Sequence, residues 1–282
     1  MSITLEQMLK KSLLEKNTDR VSVDGDPETA NARALRIDHG VAAVTGLRGG
    51  YREARRHLRG FVTRHLERYV MDRAHPGHPH VSTMSPYLHF GQISPVEIAL
   101  AVRDASADAT NRDTYLEELL VRRELSMNFV NATRNYDRYD CLPDWARRTL
   151  DAHRRDVRPH LYEEDELARA ATHDPYWNAA MGELLVTGFM HNYMRMYWGK
   201  KVLEWSASPE VGHAALLNLN NRYFLDGRDA NSYANVGWVF GLHDRPWPER
   251  AIFGNVRYMN AAGLERKTDV REYVARIAAL AR

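Results

Sequence analysis

Residues 190–205 read MHNYMRMYWGKKVLEW. The stretch sets three Met, two Tyr and two Trp around a His, an Arg and two Lys. Helical spacing of apolar residues runs through it from Trp177 to Leu203, with Gly188 as a point where the helix can break. Trp198 and Trp205 are seven residues apart and share a helix face. Trp177 lies 21 residues before Trp198, which lands within about 60° of that face if the helix is unbroken. By spacing alone a row of Trp reads as core. Arg195 sits in the middle of this apolar stretch and needs a partner there, and Asp226 is the candidate.

Both flanks are helical. GG at 49–50 opens a long helix carrying Leu58, Phe61, Val62, Leu66, Tyr69 and Val70, which the Pro-rich stretch HPGHPHVSTMSP (75–86) ends. SPVEIALAVRDA (94–105) has Ser94 as N-cap, Pro95 at the first helical position and Glu97 three residues after the cap. TYLEELLVRRELSMNFVNAT (114–133) is a strong helix, and LPDWARRTLDAHRRD (142–156) a shorter one with Asp144 as a possible cap. Ser208-Pro209 starts another over 208–224, and 268–281 forms the last. Residues 225–260 read as a long loop-rich segment with buried Trp238, Phe240, Trp247 and Phe253, and loops of that length are uncommon unless functional. Near the start, 4–14 reads as a short helix and 17–34 as a loop. No alternating strand, internal repeat or low-complexity tract stands out. The expected fold is mostly α: one helical domain over 49–282, after a lead segment of helix and loop over 1–48.

Composition narrows the class. The chain has 282 residues, 44% hydrophobic and 27% charged, as in an ordinary soluble globular protein. A formal net charge of +2 gives no global nucleic-acid signal. Between Thr45 and His80, however, eight Arg and five His stand against three acids. That is a solvated helix face or a surface for an anionic partner such as a phosphate backbone. Cys141 is the single cysteine, which excludes a disulfide framework and a Cys-based metal site. No signal-peptide pattern and no apolar run near ~18 residues occur, so the expected location is cytoplasmic.

The common nucleotide, metalloprotease and hydrolase motifs are absent. HPGHPH lacks a closed ligand set, and no metal is expected. Ser82, Thr83 and Ser85 can offer hydroxyl and backbone N–H donors to a phosphate, although such residues before a helix usually only cap it. In LEELLVRREL, Glu118 and Arg122 form an i,i+4 pair, by default a surface salt bridge. A Glu in a cleft can instead accept a substrate hydrogen bond.

Together these segments resemble the DNA photolyase/cryptochrome family, specifically the FAD-binding domain of class II cyclobutane-pyrimidine-dimer photolyases. The matching motifs are MSPYLHFGQISP, YLEELLVRREL, THDPYWNA, TGFMHNYMRMYWGKKVLEW, LNNRYFLDGRDANSY and GLHDRPWPERAIFGNVRYMN, in the family's order from about residue 50 onward. The resemblance implies an all-helical domain holding one U-shaped FAD. It also implies blue-light repair, in which the excited reduced flavin lends an electron that splits the dimer. Carried onto this chain, Tyr69, Ser82, Thr83 and Ser85 fall where the family binds the FAD phosphates and ribityl chain. Arg123 falls in the flavin-contacting part of its helix. Arg195 and Asp226 match a salt bridge beside the isoalloxazine ring. Asn220, with Asn231 as a second candidate, matches the Asn near flavin N5. Trp198, Trp177 and Trp205 match the tryptophans that carry an electron from the surface. Glu118 matches the acid that hydrogen-bonds the dimer, and Arg73 an Arg that approaches the lesion or its backbone. Trp238 and Met194 or Met196 would line the lesion pocket.

The resemblance also implies UV-damaged DNA as partner, a monomer and no membrane. With only about fifty residues before the matching region, no antenna chromophore is expected. The chain departs from the family pattern at Ala74, where Asn is usual, at Arg122, where many members have an aromatic, and at Asn221, where Asp is more usual. Ala74 and Arg122 are expected at the lesion pocket. They motivate a second reading, a flavoprotein of the same fold turned to blue-light sensing or to a small-molecule reaction.

Overall fold

The computed structural model describes residues 39–44, 46–78 and 80–280. The chain divides at Ala43/Val44 into two units, and the unit from Val44 onward carries all the described helices. The helix expected over 4–14 and the loop over 17–34 lie outside the described residues. Among the described residues the unit is helical, its one β-bridge being an isolated pair, Arg250 with Gly254. No helix there is long and apolar enough to cross a membrane.

Helix α1 (Tyr51–Arg64) starts at Gly50, whose φ of +106° suits only glycine and whose N–H donates to Gln92 Oε1 at 2.9 Å. Ala54, Leu58 and Phe61 form its buried stripe at i, i+4, i+7. The long helix expected here breaks at His65 (φ −124°). A 3₁₀ turn, Leu66–Arg68, then leads into the short α2 (Tyr69–Asp72). The break turns Tyr69 edge-on to Phe61 and Tyr115. After α3 (Ser85–His89) comes α4 (Pro95–Arg103), capped as expected by Ser94, whose Oγ accepts the Val96 N–H at 3.2 Å. Helix α5 (Ala109–Leu116) passes through a π-helical segment, Glu117–Arg122, into α6 (Arg123–Ala132). These elements enclose one apolar cluster, with Leu58, Phe61, Ile98, Tyr115 and Leu119 at its heart.

The second, larger cluster belongs to the remaining helices together with Phe129 of α6. In α7 (Asp144–Ala152) Pro143 takes the cap position, so Asp144 lies inside the helix and pairs with Arg147 instead of capping. The short α8 (Glu164–Ala168) follows, then α9 (Pro175–Thr187), which ends at Gly188 with φ +65°. The chain turns and runs on as α10 (Asn192–Trp205). Asp174 holds the pair together. Its carboxylate accepts the Tyr176 and Trp177 N–H groups at 2.9 and 3.0 Å and the Tyr197 hydroxyl from α10. Helix α11 (Pro209–Tyr223) starts at its Ser208 cap.

Besides the short α8, two helices toward the C-terminus were not expected. Ala230–Val239 is α12, capped by Asp229, inside the stretch that reads as loop. Its Asn and Gly residues are turn formers by propensity, and packing against α6 and α11 overrides them. The loop-rich segment therefore runs only from Phe240 to Asn260. Near the end of the chain α13 (Ala261–Lys267) is the second, and it precedes α14 (Val270–Leu280), the helix expected over 268–281.

Candidate functional site

A cleft of about 860 Å³ opens along the seam between the two apolar clusters. One wall comes from Tyr69, Arg73, the loop Ser82–Ser85 and the π segment with the start of α6. The other comes from α10, α11, the Phe224–Asp229 loop and α12. That size falls within the roughly 300–1,000 Å³ typical of ligand and cofactor sites.

On the α10 wall, Arg195 Nη2 meets both oxygens of Asp226 at 3.1 and 3.2 Å. The Arg195 Nε–H donates to the Met190 carbonyl at 3.1 Å, and the guanidinium lies 3.9 Å over the Phe224 ring. Held on three sides, this cation has one fixed pose. Asn220 is buried on the same wall. Its amide donates to Asn221 Oδ1 at 3.1 Å, and that oxygen also accepts the Arg228 N–H. Asn221 therefore supplies the acceptor that an Asp would supply there. Asn231 lines the cleft too, but its side-chain amide is tied to Asp229 at 2.9 Å.

Across the cleft, Glu118 accepts the Tyr69 hydroxyl and pairs with Arg73, whose guanidinium sits 5.8 Å over the Tyr69 ring. Burial, then the Glu118 charge, pushes the Tyr69 hydroxyl far above its usual range, so it stays a donor. Tyr69 lines the cleft and its hydroxyl is directed to Glu118. The i,i+4 pair expected between Glu118 and Arg122 does not form. The π turn advances the pairing by one residue, and Arg122 meets Glu117 at 2.9 Å instead. Glu118 is thereby free to face the cleft. Ser82, Thr83 and Ser85 line the same wall. Thr83 holds φ +51°, an outlier for a β-branched residue, of the strained kind that clusters at ligand sites. Arg123 is nearly buried and pairs with Glu124 at 3.2 Å.

The tryptophans form a row that starts at the cleft. Trp198 lines it. Trp177 stacks on Trp198 with ring centres 6.2 Å apart, and Trp205 meets Trp177 edge-on at 5.9 Å. The Trp177 indole N–H donates to the Trp198 carbonyl at 3.0 Å, fixing the register. Tyr162 and His173 follow Trp205 at 5.5 and 5.1 Å, and both are solvent-accessible. The helix does break at Gly188, so the condition under which Trp177 shares the Trp198 face by spacing is not met. The three rings meet because the start of α9 packs on the second half of α10.

Met196 and Trp238 line the cleft. Met194 does not. It lies two positions from Met196, about 200° around α10, and is fully buried in the core. Ala74 is likewise absent from the lining, and Arg122 stands at the rim with 69% of its side chain exposed. Neither narrows the cleft. The sequence reading missed Phe224, which backs Arg195, as well as Arg257 and Lys200. Lys200 is fully buried behind Trp238, 4.7 Å from its ring. Burial pushes its ammonium down to about 7. A Lys inside an apolar helix was its only sequence signal.

No protein-family model matches the chain. It is 52% identical over 233 residues to a deoxyribodipyrimidine photo-lyase of Methanothermobacter thermautotrophicus, covering 83% of this chain and 52% of that one. Relatives of the same name follow at 44% in Arabidopsis thaliana and 41% in Potorous tridactylus. They cover 78% and 86% of this chain and 45% and 46% of their own. The chain belongs to the DNA photolyase/cryptochrome family. This photolyase-family chain spans about half the length of the curated relatives it matches. Solved structures share its fold. A bacterial class III photolyase from Agrobacterium tumefaciens superposes with a TM-score of 0.64 at 22% identity, over 82% of this chain and 45% of that one. A Synechocystis cryptochrome gives 0.60 at 18%, over 86% and 47%.

Proposed function

We propose that the cleft binds FAD and that the protein, with the cofactor reduced, splits cyclobutane pyrimidine dimers in DNA under blue light. The observation that carries the reading is the Trp row, because it ends on the wall that also bears Arg195, Asp226 and Asn220. The residues present fit the cofactor. The Trp198 indole N–H is buried without a partner, and Arg195 and Asp226 form a fixed ion pair at the cleft wall. The hydroxyls and backbone N–H groups of Ser82–Ser85 would hold the phosphates. The Arg195–Asp226 pair would flank the ring system, and Asn220 would present its side-chain oxygen there. Reduced FAD supplies light absorption and the single electron that opens the cyclobutane ring.

The rest is positioning. Trp198, Trp177 and Trp205 would bring an electron inward from the Tyr162 side. A dimer pairs poorly with the opposite strand, so flipping it into the cleft costs less than flipping a normal base. Arg73, Arg122, Arg123 and Arg257 give the cleft a basic lip for the flanking phosphates, although net charge is only +2. Glu118 would then accept a hydrogen bond from the flipped base, with Trp238 and Met196 packing on it. The test uses the FAD-loaded, reduced protein and an oligonucleotide carrying one dimer. Light-dependent restoration of the thymines is expected, with at least a tenfold loss in Glu118→Ala. Illuminated wild type that leaves the dimer intact would reject the proposal.

A further inference from the structure

The stretch HPGHPH closes a ligand set only through residues nearly two hundred positions away. His78, Asp269 and Glu272 bring one ligand atom each within 4.8 Å of one another. Asp269 sits just before α14 and Glu272 in its first turn. His78 Nε2 lies 3.5 Å from Asp269 Oδ2. That is long for a hydrogen bond, but a tetrahedral ion with bonds of about 2.1 Å sets its ligands roughly 3.4 Å apart. The Gly77 N–H donates to the other Asp269 oxygen at 3.2 Å, and a Cβ at 77 would collide with that carboxylate. The turn is thus shaped around Asp269.

A second observation stands behind the imidazole. Asp72 is 1% exposed, and its Oδ1 is buried without a hydrogen bond. It faces His78 Nδ1, also buried and without a hydrogen bond, at 3.5 Å. The other Asp72 oxygen accepts from His80 at 3.0 Å, while Arg68 Nη2 lies 3.6 Å from the same Oδ1 that faces His78, too far for a hydrogen bond. A buried carboxylate behind a histidine whose far nitrogen faces two further carboxylates is the carboxylate–histidine–metal arrangement, in which the outer acid fixes ring and tautomer.

We propose that His78, Asp269 and Glu272 bind one divalent transition-metal ion of the zinc type, with Asp72 orienting His78. Imidazole and carboxylate ligands suit that class, three protein ligands leave a fourth position for water, and the two ligating carboxylates balance the ion's charge. The ion would pin the turn after α2 to the start of α14. Because Arg73 opens that turn and lines the cleft, the clamp sets the reach of the Arg73–Glu118 pair. The metal site is independent of whether the cleft repairs DNA.

The test is zinc titration of the chelator-stripped full chain against a chromophoric competitor, with the melting temperature as second readout. Wild type is expected to take up one Zn²⁺ per chain and melt higher with it. His78→Ala and Glu272→Gln should each weaken binding at least tenfold without altering the far-ultraviolet circular dichroism. Asp72→Asn should weaken it about 10–100-fold. His160→Ala, at the exposed His160–His173 stack, should leave binding unchanged. Wild type that binds no Zn²⁺, or binds it as tightly after His78→Ala, would overturn the site.

Discussion

Lys200→Met should make the protein more stable at pH 7 and leave it nearly unchanged at pH 9. The Lys200 ammonium lies wholly inside the protein, and burial lowers it from its ordinary 10.5 to about 7, with Arg257 adding to the effect and Asp244 opposing it. Between those values the folded chain has released the proton while the unfolded chain still holds it. The unfolded state therefore binds more protons, and stability rises with pH across the window. Each unit of separation is worth about 1.4 kcal/mol, so the penalty is about 4 kcal/mol at pH 7 and about 2 kcal/mol at pH 9. Met keeps the length of the stem and removes the charge. It also removes the 2.5 Å hydrogen bond from Nζ to the Val239 carbonyl, a loss of about 1–3 kcal/mol. The net gain is then about 2 kcal/mol at pH 7 and close to zero at pH 9. Urea unfolding of wild type and variant at both pH values reads this directly, because the other titrating groups cancel in the difference. A wild-type-minus-variant difference that does not change between pH 7 and pH 9 would refute the argument.

Three further outcomes are expected. Trp177→Phe should retain FAD and its absorption spectrum but lose photoreduction under blue light, since it interrupts the row between Trp198 and Trp205; unchanged bleaching would rule the row out. Asp226→Asn leaves Arg195 without its counter-charge and should release FAD on gel filtration, whereas full retention would remove the pair from the cofactor site. Gly188→Ala should destabilise by about 2–3 kcal/mol in thermal melts, because a Cβ at φ +65° would meet Leu225 and Val44; a change under about 0.5 kcal/mol would contradict the geometry.

Local chemistry made much of the helix inventory legible. Ser94 and Ser208 each accept a backbone N–H at a helix start, and Gly188 ends α9, all readable from residue type. What escaped depended on tertiary context. Helix α12 has weak propensity and exists because α6 and α11 cover it. The 21-residue count from Trp177 to Trp198 held only for an unbroken helix, and the chain instead turns at Gly188, so packing between two helices brings the rings together. The site residues came from resemblance to a family, and the structure brings most of them to one cleft. Met194 fell out because two adjacent choices on a helix point opposite ways. The Tyr69–Glu118–Arg73 contact has sequence separations of 49 and 45, beyond any local pattern.

The π turn at Glu117–Arg122 has an implication for how such a site arises and is lost. It amounts to one residue inserted into an otherwise continuous α5–α6 rod. Deleting a single codon there would let the rod close as plain α-helix. Every side chain on the deletion's far side would swing by about 100°, with no change in composition beyond the one residue. Either Glu118 or Arg123 would leave the cleft while the other stayed. The aim of the acid relative to the neighbouring cation is therefore a matter of phase within one helix, and a lineage could lose that alignment in one mutational step while keeping the fold.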